Sequence, residues 1–231
     1  MRARRHSPKE ECVTPNQVTA ARIATAFVAV GLFSSRAHLF VVDLIAVALT
    51  VVAIALDGVD GYLARRRGLA TALGAKFDIL GDRVVENLFF TCFAASGLIS
   101  LWVPVLFFVR GTLTDFLSGL AGRNRFTSIR RAGWGQRFVT SRASRASYAT
   151  LKCICFCYLG LLLSFQHMGS VELNRWLGRV GANWPLATAQ AITLSTVAFC
   201  IARAVPVVWE GRRYLIARRT LPKGAAVVFS P

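Results

Sequence analysis

The stretch FVVDLIAVALTVVAIALDGVDGYLARRRGLATALGAKFDILGDR, residues 40–83, begins as an apolar run and ends among aspartates. The apolar part approaches the length of about 20 residues with which a helix spans a bilayer. Asp57, Asp60, Asp78 and Asp82 follow it, in a chain that has only 11 acidic residues against 28 basic ones. The stretch therefore predicts a membrane helix with carboxylates gathered at one end.

The composition of the whole chain favours an integral membrane protein. Of its 231 residues 55% are hydrophobic and 17% are charged, and the mean hydropathy is +0.50, whereas globular proteins average about 25% charged residues. The net charge of +17 is also typical of a nucleic-acid-binding protein. Such proteins do not usually carry apolar runs of span length, so we expect a membrane protein without a nucleic-acid partner.

The apolar runs predict an all-α integral membrane protein with six transmembrane helices and a short cytoplasmic N-terminal segment. The predicted spans are residues 17–34, 39–63, 75–98, 101–120, 147–166 and 185–208. Three regions follow from them: a juxtamembrane segment 1–16, a six-helix domain 17–208 and a basic tail 209–231.

The distribution of Lys and Arg between the spans predicts the orientation. Alternate connecting segments hold 20 basic residues on one side and 3 on the other. Because basic residues collect on the cytoplasmic side, both termini and the aspartates are predicted to face the cytoplasm. The basic excess is then mainly a topology signal, which also attracts anionic lipid headgroups.

The spacing of the four aspartates predicts a metal site. Asp57 and Asp60 are three residues apart and Asp78 and Asp82 four, so each pair shares one face of a helix. Unpaired carboxylates at a membrane boundary repel one another, and a hard divalent cation removes that cost. Carboxylate oxygens suit Mg²⁺ or Mn²⁺, and four of them are enough for two ions.

These positions also carry a family resemblance. The pattern Asp57-x2-Asp60-Gly61-x2-Ala64-Arg65-x8-Gly74-x3-Asp78-x3-Asp82 resembles the signature of the class I CDP-alcohol phosphatidyltransferases, membrane enzymes of phospholipid synthesis. The resemblance implies transfer of a phosphatidyl group from CDP-diacylglycerol to an acceptor hydroxyl with release of CMP, by a homodimer among membrane lipids. It implies that the four aspartates bind metal and that Asp82 is also the general base. The residues that it implies around the CDP group are Asn16, Thr19, Gly61, Arg65 and Thr71.

The acceptor alcohol is less clearly indicated by the sequence. TPNQVTAAR, residues 14–22, is similar to the opening of bacterial phosphatidylglycerophosphate synthases, which favours glycerol 3-phosphate and a bacterial inner, or plasma, membrane. LDGVDG and DILGDR around the aspartates are closer to the inositol-phosphate transferases, so inositol phosphate or another polar alcohol stays an alternative.

Basic residues near the spans are candidates for holding an acceptor phosphate. They are Arg110, Arg142, Arg145 and Lys152. Structural pairing explains Arg110 equally well, and anchoring at the cytoplasmic boundary explains the other three. A function of another class, a carboxylate-lined cation channel or carrier, leaves Gly61, Ala64 and Arg65 unexplained.

Overall fold

The protein folds into six helices in the part of the chain that its computed structural model describes, residues 15–35, 39–67, 72–121, 141–167 and 184–217. Within these ranges the regular secondary structure is entirely helical. The helices are α1 (Pro15–Phe33), α2 (Phe40–Arg67), α3 (Ala72–Ala95), α4 (Trp102–Ala121), α5 (Arg142–His167) and α6 (Trp184–Ala217).

Four of these helices are long and apolar enough to cross a membrane, in the segments Asn16–Phe33, Phe40–Gly58, Ala143–Gln166 and Trp184–Trp209. The expectation of a multi-pass, all-helical membrane protein is thereby confirmed. The other two predicted spans are helices, α3 and α4, but they are not among these four segments. Both carry charged residues within their length, Asp78 and Asp82 in α3 and Arg110 and Asp115 in α4. A count of six spans stays a prediction.

The chain divides into two compact units, of which the first comprises Met1–Ser96 and Phe156–Ala182. In this unit α1 packs against α2 and α3. Ala26 and Ala29 of α1, and Ala46 and Ala53 of α2, are fully buried, and such small residues let membrane helices approach closely. Aromatic rings fill the core beside them, with Phe89, Phe90 and Phe93 of α3 each against the ring of Phe156.

The second unit comprises Gly97–Cys155 and Asn183–Pro231. Here α4 packs against α6, and the N-terminal part of α5 also contacts α6. The ring of Tyr148 stacks on that of Phe199 with centroids 5.8 Å apart, and Cys155 Sγ lies 3.9 Å from Thr193 Oγ1. Large apolar side chains such as Phe108 and Leu194 remain exposed, as expected of surfaces that face lipid.

Two of the helices, α2 and α6, end well beyond the apolar runs from which they were predicted. The last span was expected at 185–208, with Pro206 near its end, yet α6 includes Pro206 and continues to Ala217. Proline removes one backbone donor, a loss that helices in membrane proteins tolerate. Likewise α2 continues to Arg67, beyond the predicted end at 63. Asp57 therefore lies well inside a helix, with nearly three further turns after it.

Candidate active site

The carboxylate of Asp57 stands where the apolar part of α2 ends. Residues 44–56 of this helix are apolar except for Thr50, whose hydroxyl donates to the backbone oxygen of Ala46. Asp57 follows directly, and 42% of its side chain is exposed. The helix thus brings a charged group out of an apolar environment without interrupting its own backbone hydrogen bonds.

Two further carboxylates come from α3, whose Asp78 and Asp82 are one turn apart. Their side chains are 44% and 46% exposed. Carboxylate oxygens of Asp57, Asp78 and Asp82 all lie within 4.8 Å of one another. We call these three residues the carboxylate cluster. The sequence prediction that the two helices bring their aspartates together is therefore confirmed for three of the four.

The carboxylate cluster fits a divalent cation. All of its candidate ligand atoms are oxygens, the type that Mg²⁺ and Mn²⁺ prefer. More than two fifths of each side chain remains accessible, so an ion can reach the oxygens from the exposed side.

An arginine that the sequence analysis gave no role lies against this cluster. Arg22 of α1 donates from Nη1 to Asp57 Oδ1, and the same nitrogen is 3.1 Å from Asp82 Oδ1. Its Nη2 lies 3.6 Å from Asp78 Oδ1 and 3.4 Å from the backbone oxygen of Asp78. Only 2% of the Arg22 side chain is exposed. One buried guanidinium therefore contacts all three carboxylates.

Basic residues collect in the second unit, where three helices each contribute. Lys152 Nζ lies 4.7 Å from the centroid of the Tyr148 ring, and the Arg203 guanidinium carbon lies 5.4 Å from it. Arg203 also donates from Nη1 to Ser144 Oγ at 3.0 Å. Arg110 and Arg145 are close enough to act electrostatically on Arg203. We call Arg110, Arg145, Lys152 and Arg203 the basic cluster.

Arg110 also lines a cleft of about 430 Å³ between α4 and α6. The other walls are almost entirely apolar, with Leu106 and Leu113 from α4 and Val205 and Trp209 from α6. The Nε atom of Arg110 is buried and has no hydrogen-bond partner among the described residues. No ion pair between Arg110 and an acid is found in the described part of the chain, so the structural pairing that the sequence left open as one of two explanations is not observed there.

The chain that forms this site matches a family model over most of its length. The model is that of the CDP-alcohol phosphatidyltransferases, and it matches residues 12–202. The chain belongs to the CDP-alcohol phosphatidyltransferase family. Among curated proteins, none matches the chain significantly.

Membership of the CDP-alcohol phosphatidyltransferase family makes the protein an enzyme, a transferase of substituted phosphate groups in phospholipid synthesis. Its substrates are a CDP-alcohol donor and an alcohol acceptor, and the family uses a divalent metal. This assignment favours the enzyme over a cation channel or carrier. The carboxylate cluster is the part of the described chain that suits such a metal.

Several predicted site residues fall outside what the structure describes. Asp60, Gly61 and Arg65 belong to the helical backbone of α2, but their side chains lie outside the described residues, as does that of Arg142 in α5. Thr71 lies in the gap between α2 and α3. Of the two predicted nucleotide contacts on α1, Asn16 is exposed and Thr19 is buried.

Arg22 is the residue of this site that sequence reasoning missed. A signal for it was present, because Arg22, Ala26, Ala29 and Phe33 recur at spacings of four and three residues. All four are buried and share the face of α1 that meets its neighbours. A charged residue on that face must find a partner inside the protein.

Proposed function

We propose that the protein transfers a phosphatidyl group from CDP-diacylglycerol to a hydroxyl of a small phosphorylated polar alcohol, with glycerol 3-phosphate as the expected acceptor. The observation that carries the proposal is the convergence of Asp57, Asp78 and Asp82 from two helices within 4.8 Å. Family membership supplies the reaction class. The opening motif and the basic cluster support the choice of acceptor.

The proposed reaction is a single displacement at phosphorus. The acceptor oxygen forms a bond to the phosphorus that carries the diacylglycerol, and the bond from this phosphorus to the bridging pyrophosphate oxygen breaks. CMP leaves with that oxygen, and the hydroxyl proton passes to Asp82. Mg²⁺ or Mn²⁺, as two ions on Asp57, Asp60, Asp78 and Asp82, would neutralise the pyrophosphate and stabilise the departing CMP.

The exposure of Asp82 suits the role of general base. With 46% of its side chain exposed, an incoming hydroxyl can approach its carboxylate. Its contact with Arg22 Nη1 at 3.1 Å fixes the direction in which the carboxylate points. A base must lie within hydrogen-bond reach of the proton that it accepts, so this fixed orientation contributes directly to the rate.

The acceptor phosphate would be held by basic side chains. We assign this role to Arg110, Arg142, Arg145 and Lys152, as the sequence predicted, and add Arg203. No acid among the described residues pairs with Arg110, Arg145 or Arg203. Because a bound anion offsets the repulsion between neighbouring positive charges, the basic cluster is suited to bind a phosphate. A guanidinium group binds phosphate through two parallel hydrogen bonds.

We further propose the orientation, the oligomeric state and the nucleotide contacts that the sequence predicts. Both termini and the active site face the cytoplasm of a bacterium, because 20 basic residues lie on that side of the predicted spans and 3 on the other. The enzyme acts as a homodimer, as the family resemblance implies. Residues 1–16 and 209–231 flank the catalytic domain, and Asn16, Thr19, Gly61, Arg65 and Thr71 contact the CDP group.

A panel of acceptors tests the proposal. Purified protein in detergent receives CDP-diacylglycerol, Mg²⁺ or Mn²⁺ and one acceptor: glycerol 3-phosphate, inositol 1-phosphate, free inositol or serine. CMP release and the mass of the lipid product are measured. We expect turnover with glycerol 3-phosphate well above that with the uncharged or zwitterionic alcohols. Preference for inositol 1-phosphate would keep the phosphate but replace the alcohol, and preference for serine or free inositol would refute a phosphorylated acceptor.

A further inference from the structure

We propose that Arg22 is a positioning residue of the metal site, a permanent buried cation that holds the three carboxylates in the arrangement that binds metal. The inference rests on the proposed function, since it concerns the carboxylates assigned there to metal binding. It adds a residue from a third helix, α1, to a site otherwise built from α2 and α3. Arg22 touches neither substrate nor metal in this view and acts through Asp57, Asp78 and Asp82.

The contacts of the guanidinium show how one side chain orders three others. Nη1 contacts Asp57 and Asp82, which belong to different helices, and Nη2 contacts Asp78. Nη2 is also 3.4 Å from the backbone oxygen of Asp78, which ties it to the backbone of α3 as well. The planar fork of a guanidinium suits such divided contacts, whereas a lysine ammonium is a single point charge.

The contrast in exposure argues against Arg22 as a stand-in that a metal ion displaces. The arginine side chain is 2% exposed, while each carboxylate is more than 40% exposed. The cation therefore lies on the buried side of the cluster, and an ion would arrive on the opposite side. Displaced from its partners, Arg22 would become an unpaired charge within the protein, which is strongly unfavourable.

A glycine of α3 provides the space that the guanidinium occupies. Gly81 is buried, and a Cβ atom placed on it would lie 2.7 Å from Arg22 Nη2 and 2.8 Å from Thr19 Cγ2. Real Cβ atoms do not approach heavy atoms so closely, so alanine at position 81 must shift the ends of these side chains. Gly81 therefore gives a second way to move the guanidinium, without changing Arg22 itself.

The test measures metal affinity without turnover. Purified wild type and the variants Arg22→Gln, Arg22→Lys and Gly81→Ala are titrated with Mn²⁺ in detergent without substrate. Free Mn²⁺ is followed by electron paramagnetic resonance, and thermal unfolding without metal is recorded for each protein. Gly31→Ala is the matched control, since a Cβ at this exposed helical glycine meets nothing within 4 Å.

We expect Arg22→Gln to raise the Kd for Mn²⁺ by about 10–100-fold, the usual effect of removing a group that orients a metal ligand. Arg22→Lys and Gly81→Ala should raise it by less, and Gly31→Ala should leave it unchanged. If Arg22→Gln does not remain folded, Arg22→Lys and Gly81→Ala decide the matter.

Two results would overturn the inference. Unchanged Mn²⁺ affinity in the folded variants, with only thermal stability lowered, would make Arg22 a purely structural residue. Tighter Mn²⁺ binding would show that the guanidinium competes with the metal. Neither result touches the proposed function, which is tested by CMP release from the wild type, and a wild type that binds Mn²⁺ but releases no CMP would refute that function alone.

Discussion

Replacing Asp82 by asparagine distinguishes the role of this residue in catalysis from its role in folding. The substitution keeps the size of the side chain and removes its ability to accept a proton. Loss of a general base typically lowers the rate by about 10²–10⁴-fold, which corresponds to about 2.7–5.4 kcal/mol of transition-state stabilisation. We therefore expect kcat to fall by a factor in this range.

The cost to folding should be much smaller than the cost to the rate. Asp82 contributes one of three ion pairs to Arg22, and the contacts of Arg22 with Asp57 and Asp78 remain. The Asp82 side chain is 46% exposed, so solvent screens part of its attraction to Arg22. The variant should elute as wild type does from size-exclusion chromatography and unfold within a few degrees of it.

The assay is CMP release at saturating CDP-diacylglycerol, acceptor and metal, together with equilibrium binding of CDP-diacylglycerol. Binding should persist because Asp57 and Asp78 still provide ligands for a metal. Asp115→Asn, at an exposed position of α4, is the control for a change from aspartate to asparagine. A kcat for Asp82→Asn within about threefold of wild type would refute the assignment of the general base.

Two further predictions concern the metal and the acceptor. A chelator should abolish CMP release and added Mg²⁺ or Mn²⁺ should restore it, while Asp57→Asn should remain folded but inactive at millimolar metal; near-normal activity of this variant would contradict the site. Arg145→Ala and Lys152→Ala should each lower kcat/KM for the acceptor by about 10–150-fold, as expected for a lost charge-assisted hydrogen bond of about 1.5–3 kcal/mol. The KM for CDP-diacylglycerol should stay nearly constant, as should both KM values in the tail variant Arg213→Ala. Unaltered acceptor kinetics in both cluster variants would remove them from the acceptor site.

Hydropathy predicted where helices occur better than where they end. Each of the six predicted spans lies mostly within a helix of the structure. The largest differences arise where a helix continues into polar sequence, as when α5 begins at Arg142 instead of 147 and α6 ends at Ala217 instead of 208. Arginine and alanine favour helix as strongly as apolar residues do. Apolar runs therefore mark the segments suited to the membrane rather than the full helices.

The carboxylate cluster was predictable because its spacing is a property of single helices. Asp78 and Asp82 had to share a face of α3 whatever that helix packed against. Arg22 was different, since its importance depends on which face of α1 meets α2 and α3. The residue spacing in α1 indicates that Arg22 lies on a buried face and needs a partner, but only the packing of the three helices identifies the three aspartates as that partner.

The other charged residues within the helices differ in whether they have an ion-pair partner. Their position within a helix therefore does not decide their function. Glu86 is buried in α3 and pairs with Arg83 one turn away at 3.5 Å, which is a structural solution for a charge in an apolar setting. Arg22 is neutralised by the carboxylate cluster. Arg110 and Arg203 resemble Arg22 in sequence, as arginines flanked by apolar residues within a helix, yet no described acid pairs with either. A pair of guanidinium groups without an acid retains positive charge, and an anionic substrate supplies the missing partner only when it binds. We therefore expect acceptor binding to depend on Arg203 as well as on Arg110.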